Sequence, residues 1–151
     1  MKKIAIIIAM GFLGVALVPA SPEAVDHRNE GISRYRAGDF KGAIDSFTRA
    51  IAIRPDDYIL YNNRGIAKQA LKDHRGALAD FNRSIQLNPS YHVSHYNRGV
   101  SREALRDLAG AIADFTRAIA LKPDYYKAYN NRGMCRAKQK DYAGALGDFQ
   151  K

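Results

Sequence analysis

One period governs this chain and limits what it can fold into. Glycine stands at Gly31, Gly65, Gly99 and Gly133, alanine at Ala43, Ala77, Ala111 and Ala145, and phenylalanine at Phe47, Phe81, Phe115 and Phe149, each step being 34 residues. Pro55, Pro89 and Pro123 keep the same step. Four residue types on one period leave little room for chance. A period of this length marks an array of small units that bury their apolar faces only against their neighbours. With Ala24, Tyr58, His92 and Tyr126 taken as place 1, the units span 24–57, 58–91, 92–125 and 126–151, the last incomplete.

Each unit carries a helical pattern twice. Ala43, Phe47, Ala50 and Ile51 fall at i, i+4, i+7 and i+8, one face of a helix, and Ala111, Phe115, Ala118 and Ile119 repeat that face. The pattern predicts a first helix over about places 2–14 and a second over about places 18–31. Proline at place 32 stops the second helix, because it cannot donate to the helical ladder. Asp39, Asp73, Asp107 and Asp141, at place 16, mark the turn between the two helices. Glycine at place 8 sits inside a helix at a cost of about 1 kcal/mol relative to alanine. Its return in every unit predicts close contact between the two helices.

A 34-residue helix–turn–helix with this Gly, Ala, Phe and Pro spacing resembles the tetratricopeptide repeat family over residues 24–151. The resemblance implies an all-α fold. It is an α-solenoid whose hairpins stack into a right-handed superhelix, with a concave groove lined by the first helices. It also implies a function in protein–protein interaction. Two places depart from the family pattern. Place 4, usually Trp, holds His27, Tyr61, His95 and Tyr129, and place 7, usually Leu, holds Glu30, Arg64, Arg98 and Arg132. A buried arginine needs a carboxylate. The second helix offers Asp80, Asp114 and Asp148 at place 23, where the first unit has Ser46. Arginine and aspartate occur together or not at all, which predicts structural ion pairs Arg64–Asp80, Arg98–Asp114 and Arg132–Asp148. Solvent-exposed charge is the alternative.

The two ends of the array differ. His27, Glu30 and Arg34 give the first unit a polar outer face, as a terminal repeat requires. The sequence ends at Lys151, place 26, before the final turn that carries Ala50-Ile51 and Ala118-Ile119 in other units. Either the array is longer, or this end packs on another chain and supports self-association.

The resemblance places the groove at places 2, 5, 6, 9, 12 and 13, which helical spacing also puts on one face. Its polar members are Arg28, Asn29, Tyr35 and Arg36 in the first unit, and Asn62, Asn63 and Gln69 in the second. The third unit adds Tyr96, Asn97 and Glu103, and the fourth adds Lys127, Asn130, Asn131 and Lys138. Asparagine at place 6 of every unit (Asn29, Asn63, Asn97, Asn131) has two readings. A ladder of amides could satisfy the backbone of an extended peptide, or each amide could bond the neighbouring repeat. Arg28, Arg36, Lys127 and Lys138 against Glu103 favour a ligand with carboxylates, and Tyr35 and Tyr96 suit an interface. Family members that clamp a C-terminal carboxylate carry Asn at place 9. Here that place is Ile32, Ile66, Val100 and Met134, so the usual form of the clamp is not present.

The N-terminus predicts a destination. Lys2 and Lys3 precede an apolar run from Ile4 to Val18, and Val18-Pro19-Ala20 offers small residues for cleavage before Ser21. That order is a secretory signal peptide over residues 1–20. Its run is shorter than the about 20 residues of a membrane span. A periplasmic or secreted protein of a bacterial envelope is the expectation, with no stable membrane span after cleavage. The chain is basic, 24 Lys+Arg against 15 Asp+Glu, a net +9 that falls to +7 without Lys2 and Lys3. Such a surplus favours acidic partners or anionic surfaces. Secretion argues against nucleic acid.

Nothing reads as catalytic, cofactor-binding or metal-binding. His92 and His95 are three apart, but no third ligand completes a site, so packing is the better account. Cys135, the single cysteine, holds place 10 with Ser33, Ala67 and Ser101, and reads as a small packing residue.

Overall fold

The computed structural model describes residues 22–151. The signal segment expected at residues 1–20 lies outside the described residues. Eight helices follow one another: α1 (Pro22–Arg36), α2 (Phe40–Ile53), α3 (Tyr58–Ala70), α4 (His74–Leu87), α5 (His92–Ala104), α6 (Leu108–Leu121), α7 (Tyr126–Lys138) and α8 (Tyr142–Phe149). No strand occurs among the described residues. Helices pack in consecutive pairs, each pair packs on the next, and α1, α3, α5 and α7 touch in that order along one side. The described chain is an all-α solenoid of helical hairpins.

The internal helices begin and end one residue earlier than the spacing predicts, for two local reasons. Asp39, Asp73, Asp107 and Asp141 are N-caps of the second helices rather than mid-turn residues. Each accepts a hydrogen bond from the backbone N–H three residues on, at Gly42, Gly76, Gly110 and Gly144, all at 2.9 Å. A Cβ at any of these four glycines would lie 2.0–2.2 Å from the capping carboxylate, so the cap itself demands glycine there. At the other end, Arg54, Asn88 and Lys122 stand before proline and leave the helical region, with φ of −130°, −141° and −140°. Steric conflict with the following proline ring forces that change.

The turn between the paired helices is a left-handed cap. Lys72, Arg106 and Lys140 have φ of 62°, 67° and 67°, where the first unit has Gly38 at 81°. The geometry lets the N–H of Lys72 reach the Gln69 carbonyl at 2.8 Å and that of Asp73 reach the Lys68 carbonyl at 3.0 Å. Glycine at place 8 marks the close approach within each hairpin. A Cβ there would meet the ring of Phe47, Phe81, Phe115 or Phe149 at 2.6–2.7 Å.

Two apolar clusters hold the array. One gathers Ala43, Phe47, Ala50, Ile51, Leu60 and Ala67 across the first and second units. The other gathers Ala111, Phe115, Ala118, Ile119, Ala128 and Cys135 across the third and fourth. Between them the junction is polar. Ser84 and Ser94 lie 2.7 Å apart, with the Tyr58 carbonyl 2.8 Å from the Ser84 hydroxyl and the Asn62 side-chain oxygen 3.1 Å from that of Ser94, so their two protons serve two of these three contacts at a time. These buried hydroxyls are satisfied by one another, so the junction avoids the penalty of unpaired polar groups.

Candidate partner-binding groove

The charged side of each hairpin is occupied by the fold. Arg64 meets Asp80 with two hydrogen bonds of 2.7 and 3.1 Å, Arg98 meets Asp114 at 2.6 and 2.9 Å, and Arg132 meets Asp148 at 2.6 and 3.0 Å. Each aspartate also takes a second cation from place 11: Lys68 at 2.7 Å, Arg102 at 3.0 Å and Arg136 at 2.8 Å. The place-7 arginine then reaches back to the preceding hairpin. It donates to Thr48 at 3.1 Å, to Asn82 at 2.8 Å and to Thr116 at 3.0 Å. These arginines therefore join neighbouring hairpins as well as pairing within one.

The first hairpin carries the carboxylate on the opposite helix. Glu30 at place 7 binds Arg34 at 2.7 Å and accepts from Ser46 at 3.0 Å. The Ser46 hydroxyl, with the charge of Arg34 adding to it, holds the Glu30 carboxyl below its ordinary value.

The groove residues follow a register of their own. At the second and third junctions, place 6 of one unit bonds place 5 of the unit before. Asn97 donates to Asn62 at 3.1 Å, and Asn131 donates to the Tyr96 hydroxyl at 3.0 Å. Gln69 crosses the second junction to the Asn97 carbonyl at 2.9 Å and to Ser101 at 2.8 Å. Lys138 crosses the third to Glu103 at 2.6 Å. Asn62 is 2% exposed and bonded to both Asn97 and Ser94, so it is a junction residue and not part of the groove surface. Gln69, Asn97, Asn131, Glu103 and Lys138 are likewise engaged across junctions.

The first junction is different. The same register sets Arg28 at place 5 opposite Asn63 at place 6. Arg28 can only donate, and Asn63, which carries both a donor and an acceptor, does not bond it. Among the described residues, Arg28, Arg36, Asn29 and Asn63 form no side-chain hydrogen bond or ion pair, and the Nε of Arg28 is buried without an acceptor. Beside them lies a cavity of about 290 Å³ lined by Ile32, Tyr35, Arg36, Phe47, Asn63 and Ile66. Its walls are mostly apolar and its rim carries Arg36 and Asn63.

A larger cavity, about 640 Å³, opens at the other end against Tyr96, Tyr126, Lys127, Asn130, Asn131 and Phe149. Phe149 is 50% exposed, where its counterparts Phe47, Phe81 and Phe115 are 2% or less. Lys127 and Asn130 are exposed beside it.

The remaining reactive types are built into the packing. His95 is buried, with Nε2 3.0 Å from the Pro89 carbonyl, as the Tyr61 hydroxyl is 3.1 Å from that of Pro55 one unit earlier. The His92 ring packs edge-on against Tyr125 at 5.1 Å. Burial pushes the Cys135 thiol up to about 11, so it stays protonated and unreactive. Burial, with Tyr96 adding to it, pushes the Tyr125 hydroxyl up to about 12.

Two features escaped the sequence reading although the period displays them. One is the glycine at place 19 that admits the aspartate cap. The other is the cation at place 11, Arg34, Lys68, Arg102 and Arg136, that completes each ion network.

Comparison with known proteins agrees with this architecture. Two tetratricopeptide repeat family models match, one over residues 58–91 and the other over residues 96–151. No curated protein sequence matches the chain. Among solved structures, the first tetratricopeptide domain of Spaghetti (RPAP3), bound to the HSP90 peptide SRMEEVD, is 29% identical. The alignment covers 78% of this chain and 94% of that one, with a TM-score of 0.77. The second such domain of human RPAP3, in complex with the HSP70 peptide SGPTIEEVD, is 26% identical over 76% of this chain and 95% of that one, with a TM-score of 0.73. MamA from Desulfovibrio magneticus shares the fold at 20% identity, over 84% of this chain and 72% of that one, with a TM-score of 0.79. Residues 58–91 and 96–151 match tetratricopeptide repeats, and the described residues form a helical-hairpin solenoid of the fold seen in tetratricopeptide-repeat structures.

Proposed function

We propose that the protein is a docking module of the cell envelope or secreted space, which takes an acidic segment of a partner protein in the face formed by α1, α3, α5 and α7. The carrying observation is the set of cations on that face that the fold leaves unpaired. Arg36 lines an apolar cavity, Arg28 lies one helical turn before its Ile32 on α1, neither makes an ion pair among the described residues, and Lys127 stands exposed beside the second cavity. Two similar domains hold peptides that end in two glutamates, a valine and an aspartate, which supports an acidic ligand here. The envelope setting rests on the signal-like residues 1–20. An array of immobilised twelve-residue peptides tests the reading. Bound peptides are expected to be enriched in Asp and Glu, and to be lost when those residues become Asn and Gln. Absence of binding, or binding indifferent to charge, would contradict it.

A second reading rests on the half-exposed Phe149 and the cavity beside it: the chain self-associates through this end. Sedimentation at rising concentration should then show oligomers that Phe149→Ser abolishes. A third is a basic protein held on anionic envelope surfaces. Binding to anionic vesicles that moderate salt removes, and that Arg28→Gln leaves intact, would favour it.

A further inference from the structure

The unsatisfied groups of the groove concentrate at one place, the junction of the first and second hairpins. We infer that this junction reads an internal acid–x–aliphatic–x–acid segment of an extended partner chain, lying along α1. The inference rests on the docking reading above and gives it a residue-level signature.

Arg28 and Arg36 are eight residues apart in α1, which places them about 12 Å apart along the helix axis at 1.5 Å per residue. Ile32 lies midway between them and lines the cavity with Tyr35 and Ile66. In an extended chain, alternate side chains share a face, so residues i, i+2 and i+4 span about 13 Å. An aliphatic side chain in the cavity therefore carries an acidic residue two places before it toward one arginine and another two places after it toward the other. The cavity, about 290 Å³, has room for an aliphatic side chain.

Three chemical facts agree with that occupant. The guanidinium groups of Arg28 and Arg36 have no acceptor among the described residues, and each would gain a charge-assisted hydrogen bond to a carboxylate. Asn63 faces the same opening with both an N–H donor and a carbonyl acceptor free, the pair that an extended backbone needs. The cavity walls are apolar beyond this rim. A free chain terminus is not required, because place 9, where a terminal carboxylate would need a donor, is Ile32 and Ile66.

Fluorescence anisotropy with the full chain tests this. The probe is a fluorescein-labelled peptide, Ser-Glu-Ser-Leu-Ser-Glu-Ser, amidated at its C-terminus. Changing its Leu to Ala is expected to weaken binding about tenfold or more through lost apolar burial. Moving both Glu to one side of Leu, with composition unchanged, should weaken it several-fold. Restoring a free C-terminal carboxylate should change little. Arg28→Gln and Arg36→Gln, both on the surface of α1, should each weaken the amidated probe several-fold and leave helicity unaltered. The inference is overturned if the rearranged peptide binds as well as the probe, if affinity depends on a free terminus, or if neither arginine variant matters. When acidic peptides of any spacing still bind, only this inference fails. If no acidic peptide binds at all, the docking reading fails with it.

Discussion

The first junction and the two that follow are built from the same repeat, yet they put the same places to different uses. At the second and third, places 5 and 6 bond each other: Asn62 with Asn97, and Tyr96 with Asn131. At the first, arginine stands opposite asparagine, and neither side chain is engaged among the described residues. The ion networks differ in the same way. Units two to four keep the carboxylate on the second helix between two cations, while unit one carries it on the first helix as Glu30. Among the described residues no hairpin precedes the first unit, and none offers a Thr or Asn there for a place-7 arginine to reach. The position is then free to hold a carboxylate. The comparison teaches that a repeat position becomes available to a ligand only where the fold does not use it.

Substitutions can break this contrast, and the largest expected effect is at Asp114. It is nearly buried, and Asp114→Ala would leave Arg98 and Arg102 without their carboxylate. Stability should fall by about 3–5 kcal/mol in urea melts. Ser46→Ala, at the same place in the first unit, removes a hydroxyl and should cost about 1 kcal/mol.

Next come the paired glycines. Gly99→Ala pushes a methyl group into Phe115, which is fully buried, and should cost about 1–3 kcal/mol. Gly133→Ala meets Phe149 at a similar distance, but that ring is half-exposed and can swing away, so thermal melts should show a clearly smaller loss. Equal losses would mean that the end hairpin is packed as tightly as the interior ones.

The pH dependence of stability should trace in part to His95. Burial lowers its pKa, with Arg98 and Arg117 adding to the effect and the Pro89 hydrogen bond and Asp114 opposing it. The folded state therefore holds the neutral ring. The unfolded chain takes up a proton near pH ~6.5. Stability should be full above that value and decline as pH falls through it toward the lower folded value. His95→Tyr supplies the residue of the preceding unit, Tyr61, which makes the same bond to a proline carbonyl. It should flatten the decline measured by melting temperature, while His92, also lowered by burial and by Lys122, keeps a remainder.

The smallest effect sits at the left-handed turns. Lys72→Gly should stabilise by about 0.5–1 kcal/mol, since only glycine adopts that backbone without strain. Gly38→Lys in the first unit should cost a similar amount and make the four turns alike.

Much of this fold is legible in the sequence because it is periodic. Gly99 opposite Phe115, the proline at place 32 and the aspartate at place 16 each repeat, so their roles can be read from spacing. The site is harder to read because it lies in what does not repeat. Place 5 is Arg28, Asn62, Tyr96 and Asn130, three residue types on one face. Spacing assigns all four to the groove. Only the cross-junction contacts show that Asn62 is buried in a polar junction while Arg28 lacks an acceptor. The asparagine ladder divides in the same way: Asn97 and Asn131 bond partners at place 5, and Asn63 stands opposite Arg28 without bonding it.

The central claim is that the first junction serves a ligand and the later ones serve the fold. Asn63→Ala and Asn97→Ala, measured side by side for urea stability and for binding of the amidated acidic probe, test it most directly. Asn97→Ala should lower stability by about 1 kcal/mol through its lost bond to Asn62, and leave binding to the first junction largely intact. Asn63→Ala should stay within about 0.5 kcal/mol of the parent and weaken binding several-fold. The reverse pattern, with Asn63 needed for stability and Asn97 for binding, would contradict the account.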